Sequence, residues 1–418
     1  MDRNAQKAAQ RRFRIFWVMN AAAIAFLLED ILVLYGIRNG LPDPALAALA
    51  SFVQLTMPFM ILGRVFTARK GLVGGWITAY LVRYPAVLIL ITAPFFSDQA
   101  ARTAIMLAGG FVFAAFRAAG VINMHPLNGE ITSEEDRGRY LHGNFALFNL
   151  TYMIAVGLTI TATRIIPSIW IFQVMVGVGA GIGLASLLVL RGVEESGEGR
   201  ASAREPFLPL FREVRREVRL GVLIPAWAGG LMSFVMVAPF AMLLIKNGYG
   251  VPDSTALFFT LLSLLGGVIS GLINRRLTEK MRPHVLVTVY TIVLIAVAAT
   301  WSFAPEGFVL PLVAALFIGV GIARAGIIVS LQHFLISENR PEHRIHVSLI
   351  AELAAAAMAG LAGTVVGGGL VGFFGERFEG LDIYRSYFRV VVAILVVALV
   401  FVLRLPRSRR ETSAATCS

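Results

Sequence analysis

Twelve apolar stretches, each long enough to cross a lipid bilayer, limit the folds open to this sequence more than any other feature. A transmembrane helix needs about 20 predominantly apolar residues to cross the roughly 30 Å hydrocarbon core, and irregular backbone cannot face lipid. The stretches lie at approximately residues 15–36, 45–66, 72–95, 104–124, 141–162, 166–190, 220–245, 254–273, 285–303, 309–331, 345–374 and 388–403. They predict an all-α integral membrane protein with twelve transmembrane helices, called spans 1 to 12 below.

The composition agrees with lipid as the main solvent of the chain. Hydrophobic residues make up 57% of the 418 residues and charged residues only 15%, and the mean hydropathy is +0.76. Soluble domains carry about 25% charged residues. We therefore expect an integral protein of the cell (inner) membrane.

The basic residues follow the predicted topology. The segments that face the cytoplasm if both termini are cytoplasmic hold 27 of the 37 lysines and arginines, and the opposite loops hold 7. This asymmetry is the positive-inside pattern, and it fits an even number of crossings. The net charge of +12 therefore indicates orientation, and we expect no nucleic-acid partner.

The longest polar segment divides the chain near its middle and predicts three regions. These are an N-terminal six-helix bundle (1–191), a cytoplasmic linker (192–219) and a C-terminal six-helix bundle with a basic tail (220–418). Part of the linker has an apolar face at helical spacing and predicts a short amphipathic helix on the inner leaflet, with a merely solvated linker as the alternative. That face consists of Phe207, Phe211, Val214 and Val218.

The two predicted bundles share an internal repeat. Arg117-Ala-Ala-Gly120 in span 4 recurs as Arg324-Ala-Gly326 in span 10. The loops before spans 3 and 5 also have counterparts before spans 9 and 11. Repeated halves are typical of transporters whose substrate site lies near the bilayer midplane between them, although a duplicated scaffold without a pathway is the alternative.

These loops carry motifs that resemble the major facilitator superfamily. Glu130-Ile-Thr-Ser133 followed by Arg137-Gly138 is similar to the family pattern after span 4, with serine in place of proline, and the run from Glu338 to Arg344 is similar to its second copy. The resemblance implies twelve spans in two pseudo-symmetric six-helix bundles (6+6), cytoplasmic termini and transport by alternating access.

The resemblance also implies a cytoplasmic gate, in which ion pairs hold the inward mouth closed. The weaker loop motif before span 3 keeps its glycine but has Thr67 where the family has aspartate. A plain alternative for each charged position is an interfacial charge that only sets topology. The gate residues implied by the resemblance are Gly63, Glu130, Arg137, Glu279, Lys280, Glu338 and Arg344.

Six charged residues fall inside the predicted spans, where each costs at least about 2.5 kcal/mol on insertion scales. They are the candidates for substrate or proton binding, namely Glu29, Asp30, Arg83, Arg117, Arg324 and Glu352. In the family, spans 1, 4, 7 and 10 line the central cavity. This favours Arg117, Arg324 and one of Glu29 and Asp30, and it ranks Arg83 and Glu352 lower.

Three roles remain open for the leading charges. A carboxylate near an arginine can load and release a proton as the cavity changes between wet and dry. Two pseudo-symmetric arginines can instead bind an anionic solute through bidentate contacts. Pairing between helices is the structural alternative.

The motif search argues against an enzyme. The histidines form no His-Glu-x-x-His, no Gly-x-Ser-x-Gly element or phosphate-binding loop is present, and the one cysteine, Cys417, lies in the polar tail. We therefore expect no catalytic residues, metal or cofactor. The expected partners are a small-molecule solute, protons and the lipid bilayer, with no obligate protein partner.

The sequence predicts a secondary active transporter for a small solute, anionic if the arginines bind it, with proton-coupled symport as the leading mechanism. Proton-coupled efflux antiport and a transporter-like sensor or scaffold are the alternatives.

Overall fold

The structure is a computed structural model that describes residues 3–27, 29–166, 168–206 and 220–405. All regular secondary structure in these ranges is helical. The amphipathic helix predicted within 207–219 and the basic tail beyond residue 405 lie outside the described residues.

Nine α-helices and two short 3-10 segments build the first part of the chain. They are α1 (Arg3–Leu27), α2 (Glu29–Arg38), α3 (Asp43–Leu55), a 3-10 turn (Met57–Phe59), α4 (Met60–Leu88), a second 3-10 segment (Ile89–Phe95), α5 (Gln99–Val121), α6 (Met124–Ile131), α7 (Glu134–Ile165), α8 (Ile169–Leu190) and α9 (Glu198–Arg204).

Eight further α-helices build the described remainder, and π-helical segments interrupt two of the spans. They are α10 (Leu220–Met232), π (Ser233–Val237), α11 (Ala238–Leu243), π (Leu244–Gly248), α12 (Asp253–Leu277), α13 (Pro283–Ser302), α14 (Leu310–Glu338), a 3-10 turn (Pro341–His343), α15 (Arg344–Gly360), π (Leu361–Gly367), α16 (Gly368–Gly375) and α17 (Leu381–Leu403).

These helices account for twelve spans. Ten continuous helical stretches are long and apolar enough to cross a membrane, and a pair bent by 44° at residues 221–248 forms one more. The stretch Asp43–Phe95 has 53 residues, about 80 Å of helix, which exceeds twice the hydrocarbon thickness. Gly71 breaks it with φ 84° and ψ −179°, so it supplies both span 2 and span 3. The predicted all-α membrane fold is thereby confirmed.

The described contacts divide the chain into two compact units. Unit 1 comprises Met1–Ser133, Leu150–Leu210 and Pro341–Leu349, and unit 2 comprises Glu134–Asn149, Phe211–Arg340 and Ile350–Ser418.

Glycines allow the closest helix crossings inside each unit. In unit 1, a Cβ at Gly63 of α4 would overlap the Ala119 carbonyl of α5. In unit 2, a Cβ at Gly321 of α14 would overlap the Ser263 carbonyl of α12. Small residues at membrane helix interfaces let backbones approach closely, and the packing gained replaces the hydrophobic driving force that lipid removes. Spans 2 and 4, and spans 8 and 10, therefore meet in the same way.

Candidate functional site

The repeated arginine–glycine segment of span 4 places its glycine against a tyrosine of span 3. A Cβ at Gly120 would overlap the Tyr80 ring, lying 2.8 Å from Cδ1. Tyr80 is 1% exposed, and its ring meets Trp76 edge to face at 6.0 Å. The glycine thus makes room for an aromatic side chain one turn along the helix from Arg117.

Unit 2 repeats this contact at the corresponding segment of span 10. A Cβ at Gly326 would overlap the Tyr290 ring of span 9, lying 2.6 Å from Cε2. The Tyr290 hydroxyl donates to Asn274 Oδ1 at 2.6 Å. The internal repeat therefore conserves a glycine–tyrosine packing contact between neighbouring spans as well as an arginine.

The leading charged candidates lie in three of the expected helices. Arg117 is half-buried in α5 of unit 1, and Arg324 is half-buried in α14 of unit 2. Glu29 and Asp30 are the first two residues of α2, and their side chains lie outside the described part of the structure. Glu352 is half-buried in α15.

Arg83, which the sequence ranks lower, is the most buried of the described candidates. Its side chain is 1% exposed. The guanidinium carbon lies 4.4 Å from the centroid of the Phe113 ring, 4.6 Å from that of Tyr80 and 5.2 Å from that of Tyr84. Cation–π contacts contribute about 0.5–1 kcal/mol when exposed and about 2 kcal/mol or more when desolvated. The three rings therefore offset much of the cost of burying this charge.

Three other helices fix two of these rings. Tyr84 donates from its hydroxyl to Oδ1 of Asn20 on α1 at 2.8 Å. A Cβ at Gly183 of α8 would overlap the Tyr84 ring, at 2.5 Å from Cδ1, and Gly120 of α5 receives Tyr80. The sequence signal for this cluster is Tyr80-x-x-Arg83-Tyr84, since residues three and four apart share a helix face.

Three of the implied gate residues lie in unit 1, each in a different role. Gly63 is the crossing point of α4 and α5. One turn later the Thr67 hydroxyl, which stands where the family has aspartate, donates to Asn123 Oδ1 at 2.6 Å. Arg344 lies against the backbone of Gly129, whose added Cβ would be 2.7 Å from Nη1.

The third, Glu130, binds the linker. Its carboxylate accepts hydrogen bonds from the backbone N–H groups of Ser196 at 2.7 Å and Gly199 at 2.9 Å. A carboxylate at the N-terminus of a helix satisfies N–H groups that have no partner within the helix. Glu130 therefore fixes the start of α9.

Helix α9 makes further hydrogen bonds within unit 1. Arg200 donates to the Arg69 carbonyl at 2.8 Å and Arg204 to the Ala68 carbonyl at 2.9 Å, both beside the break in α4. The Ser202 hydroxyl donates to the Glu342 carbonyl. The linker helix thus connects the end of span 2, just before the break at Gly71, to the segment that precedes α15.

A carboxylate of the linker itself, Glu195, accepts a hydrogen bond at the start of span 3. Its Oε2 accepts from the Val73 N–H at 2.9 Å. The carboxylate lies so close to Gly71 that an added Cβ would be 2.9 Å from Cδ. Burial is the main cause that raises the pKa of Glu195, and nearby Glu130 adds to it, while the Val73 and Leu72 N–H groups lower it. The motif search missed this residue because a lone glutamate in a polar linker has no signature.

The remaining implied gate residues lie in unit 2. Arg137 is 3% exposed, and its Nη1 donates to Ser337 Oγ at 3.1 Å. Glu279 faces Arg139 at 3.9 Å with both side chains more than half exposed, a kind of pair that contributes little stability. Lys280 is exposed, and Glu338 is half-buried at the end of α14.

Two glycines of span 11, Gly363 and Gly367, lie in the π-helical segment Leu361–Gly367. A Cβ at Gly363 would lie 2.9 Å from Val235 Cβ, and one at Gly367 would lie 2.7 Å from Phe240 Cζ. Beside them, the Tyr387 hydroxyl donates to the Met236 carbonyl at 2.9 Å. Such π-helical segments frequently mark functional positions in membrane and soluble helices. Within the described residues, no group of three or more histidine, cysteine or acidic residues is placed to hold a metal ion.

Comparison with family models gives one match. The model described as Major Facilitator Superfamily matches residues 13–353. A comparison with the curated protein sequences finds no match.

Solved structures of transporters share the fold at low sequence identity. The proton:xylose symporter XylE has a TM-score of 0.74 at 13% identity, with 97% of both chains covered. The E. coli fucose:proton symporter FucP has a TM-score of 0.73 at 12% identity, covering 96% of this chain and 98% of that one. The human organic anion transporter MFSD10 (TETRAN) has a TM-score of 0.68 at 13% identity, covering 95% and 99%.

Proposed function

Since this chain belongs to the Major Facilitator Superfamily, it is a secondary transporter and not an enzyme, and we propose that it is a proton-coupled symporter of a small anionic solute. One observation carries the proposal. Arg117 and Arg324 occupy corresponding positions in span 4 and span 10, each followed by a glycine that packs on a tyrosine. A duplicated charge within apolar helices is costly unless it has a use.

The chemistry of the two arginines favours an anion. A guanidinium is always charged and presents planar N–H donors that match a carboxylate or phosphate. One of the structural neighbours is named as an organic anion transporter, which supports the same class of solute. In this mechanism the bundles 1–191 and 220–418 alternate access to the solute.

Proton coupling needs a group that can be charged or neutral according to its surroundings. Glu29 and Asp30 supply such carboxylates in span 1, and burial raises a carboxyl pKa while a nearby guanidinium lowers it. The two sugar symporters among the neighbours are named as proton-coupled, which supports the mechanism. Glu352 is a further carboxylate available for this role.

Uptake by reconstituted proteoliposomes tests this function. The panel comprises monocarboxylates, dicarboxylates, phosphate esters and neutral sugars, each with and without an inward proton gradient. We expect flux of an anionic solute that collapses without the gradient, and a loss of at least tenfold in Arg117→Gln and Arg324→Gln. Arg377→Gln, a change in an exposed arginine stacked on Phe373, is the control. Transport of only neutral solutes, or flux independent of the gradient, would overturn the proposal.

Orientation in the cell membrane is part of the same proposal. Cys417 is the only cysteine, so the native protein carries a single thiol label in its C-terminal tail. A membrane-impermeant maleimide should label the protein only after cells are permeabilised. Labelling of intact cells would place the tail outside and reverse the orientation.

A further inference from the structure

Among the described residues, Arg83 has two donors that no acceptor uses. Within the described residues, its buried Nε and Nη1 atoms have no hydrogen-bond acceptor. Buried polar groups are nearly always hydrogen-bonded, and each exception asks for an explanation. The three rings around the guanidinium do not remove these donors, because an aromatic face attracts the cation but does not replace an oxygen acceptor in the guanidinium plane.

The surroundings of Arg83 are shaped in advance. Gly120 and Gly183 leave the space that Tyr80 and Tyr84 occupy, and Asn20 accepts the Tyr84 hydroxyl. Rings held by contacts with three neighbouring helices keep their positions when a ligand arrives, so little ordering is needed on binding. This arrangement is typical of a binding site, where geometry is fixed before the ligand enters.

The depth of Arg83 in the membrane indicates that an anion bound there would be a transported solute and not a lipid headgroup. It lies midway between Leu72 and Phe95, the two ends of span 3. The headgroups are therefore about 15 Å away on either side, half the hydrocarbon thickness. Transported solutes bind near this midplane, whereas a lipid phosphate does not reach it.

We propose that Arg83 is an anion-binding residue of unit 1, and that the ligand it recognises is an organic monocarboxylate. The inference rests on the proposed transport function and narrows its substrate class. One guanidinium in apolar surroundings neutralises one negative charge, so a dianion would retain charge at the midplane. In this proposal Nε and Nη1 donate to the carboxylate of the ligand, and the rings of Tyr80, Tyr84 and Phe113 hold the guanidinium in place.

Binding to the purified protein in detergent tests the proposal without requiring transport. Tryptophan fluorescence is the readout, because Trp76 lies edge to face on Tyr80. Benzoate is the probe, its neutral isostere benzamide is the matched control ligand, and phthalate is the dianion. We expect benzoate to bind wild type at least tenfold more tightly than benzamide or phthalate does.

Variants at Arg83 separate charge from shape. Arg83→Gln should weaken benzoate binding by about tenfold or more, since it removes a charge-assisted pair. Arg83→Lys keeps the charge but loses the planar donors, so it should bind benzoate with intermediate affinity. If Arg83→Gln does not fold, the benzoate affinity of Arg83→Lys tests the proposal instead. Arg377→Gln, which alters an exposed arginine on another ring, should bind as wild type does.

Two results would overturn the inference. One is a wild type that does not prefer benzoate to benzamide. The other is benzoate affinity that is unchanged in both Arg83 variants. Failure of the transport function is distinct, because benzoate binding that depends on Arg83 without flux of any solute leaves the site intact and removes only the symporter proposal.

Discussion

Gly63, at the crossing of α4 and α5, provides a direct test of the packing described above. In Gly63→Ala, the new Cβ would overlap the Ala119 carbonyl oxygen and lie 2.8 Å from its carbon and 2.9 Å from Ala119 Cα. Ordinary carbon contacts are about 3.5–4.0 Å. The two helices must therefore separate locally by about 1 Å, because no rotamer change can relieve a contact with backbone.

The expected cost follows from two opposing effects. Overpacking a close contact destabilises by about 1–3 kcal/mol, and the upper end applies here because the obstacle is backbone. Replacing glycine by alanine inside a helix stabilises the folded state by up to about 1 kcal/mol. The net effect should be a loss of about 1–2 kcal/mol, seen as a lower unfolding temperature.

The assay is thermal unfolding in detergent followed by tryptophan fluorescence. Gly181→Ala is the matched control, since it lies inside α8 and a Cβ there meets nothing within 4 Å. We expect the control to unfold at or above the wild-type temperature and Gly63→Ala below it. If the two variants unfold at the same temperature, the close crossing of spans 2 and 4 is wrong.

Three further changes test other parts of the structure. Glu195→Gln removes a group that titrates. Because burial raises the Glu195 pKa from 4.5, the folded state binds the proton more tightly than the unfolded state does. The unfolding temperature of the wild type should therefore fall relative to that of the variant as pH rises from about 4.5. A difference in unfolding temperature between wild type and variant that does not change with pH would contradict this. Tyr387→Phe should cost about 1 kcal/mol, because the Met236 carbonyl loses its donor; unchanged stability refutes that bond. Gly367→Ala should reduce stability. Gly369→Ala should not, because a Cβ there meets nothing within 4 Å. Equal effects of the two variants would refute the packing of span 11 on span 7.

Hydropathy predicted the spans well because lipid imposes one rule on every crossing helix, a length of apolar residues. Hydropathy also separates spans 2 and 3, because polar residues such as Arg69 and Lys70 interrupt the apolar run between residues 66 and 72. It does not show that the chain turns at Gly71, whose positive φ leaves no trace in hydropathy. The repeat of Arg117 and Arg324 was likewise visible in the sequence. The ring contacts of the glycines beside them were not, because they join residues about 40 positions apart.

The candidate site shows the same limit. Span number ranked Arg83 low, yet its surroundings come from α1, α5 and α8 as well as from its own helix. Glu130 was found by its motif, but its partners belong to the linker, where polar residues without periodicity give no indication of the path of the chain. Tertiary packing decides which groups surround a charged side chain. Local sequence patterns do not show these partners, because they come from distant parts of the chain.

The assignment of Pro341–Leu349 to unit 1 has a consequence for biosynthesis. Unit 1 is otherwise complete once Leu210 has been made, and the segment Pro341–Leu349 is made 131 to 139 positions later. At about 5–20 residues per second, this delay lasts on the order of 7–28 s. During that interval the Ser202 hydroxyl has not yet met its acceptor at Glu342. The nascent chain therefore spends those seconds in the membrane with unit 1 unfinished, and truncation before residue 341 should leave it a substrate for membrane proteases.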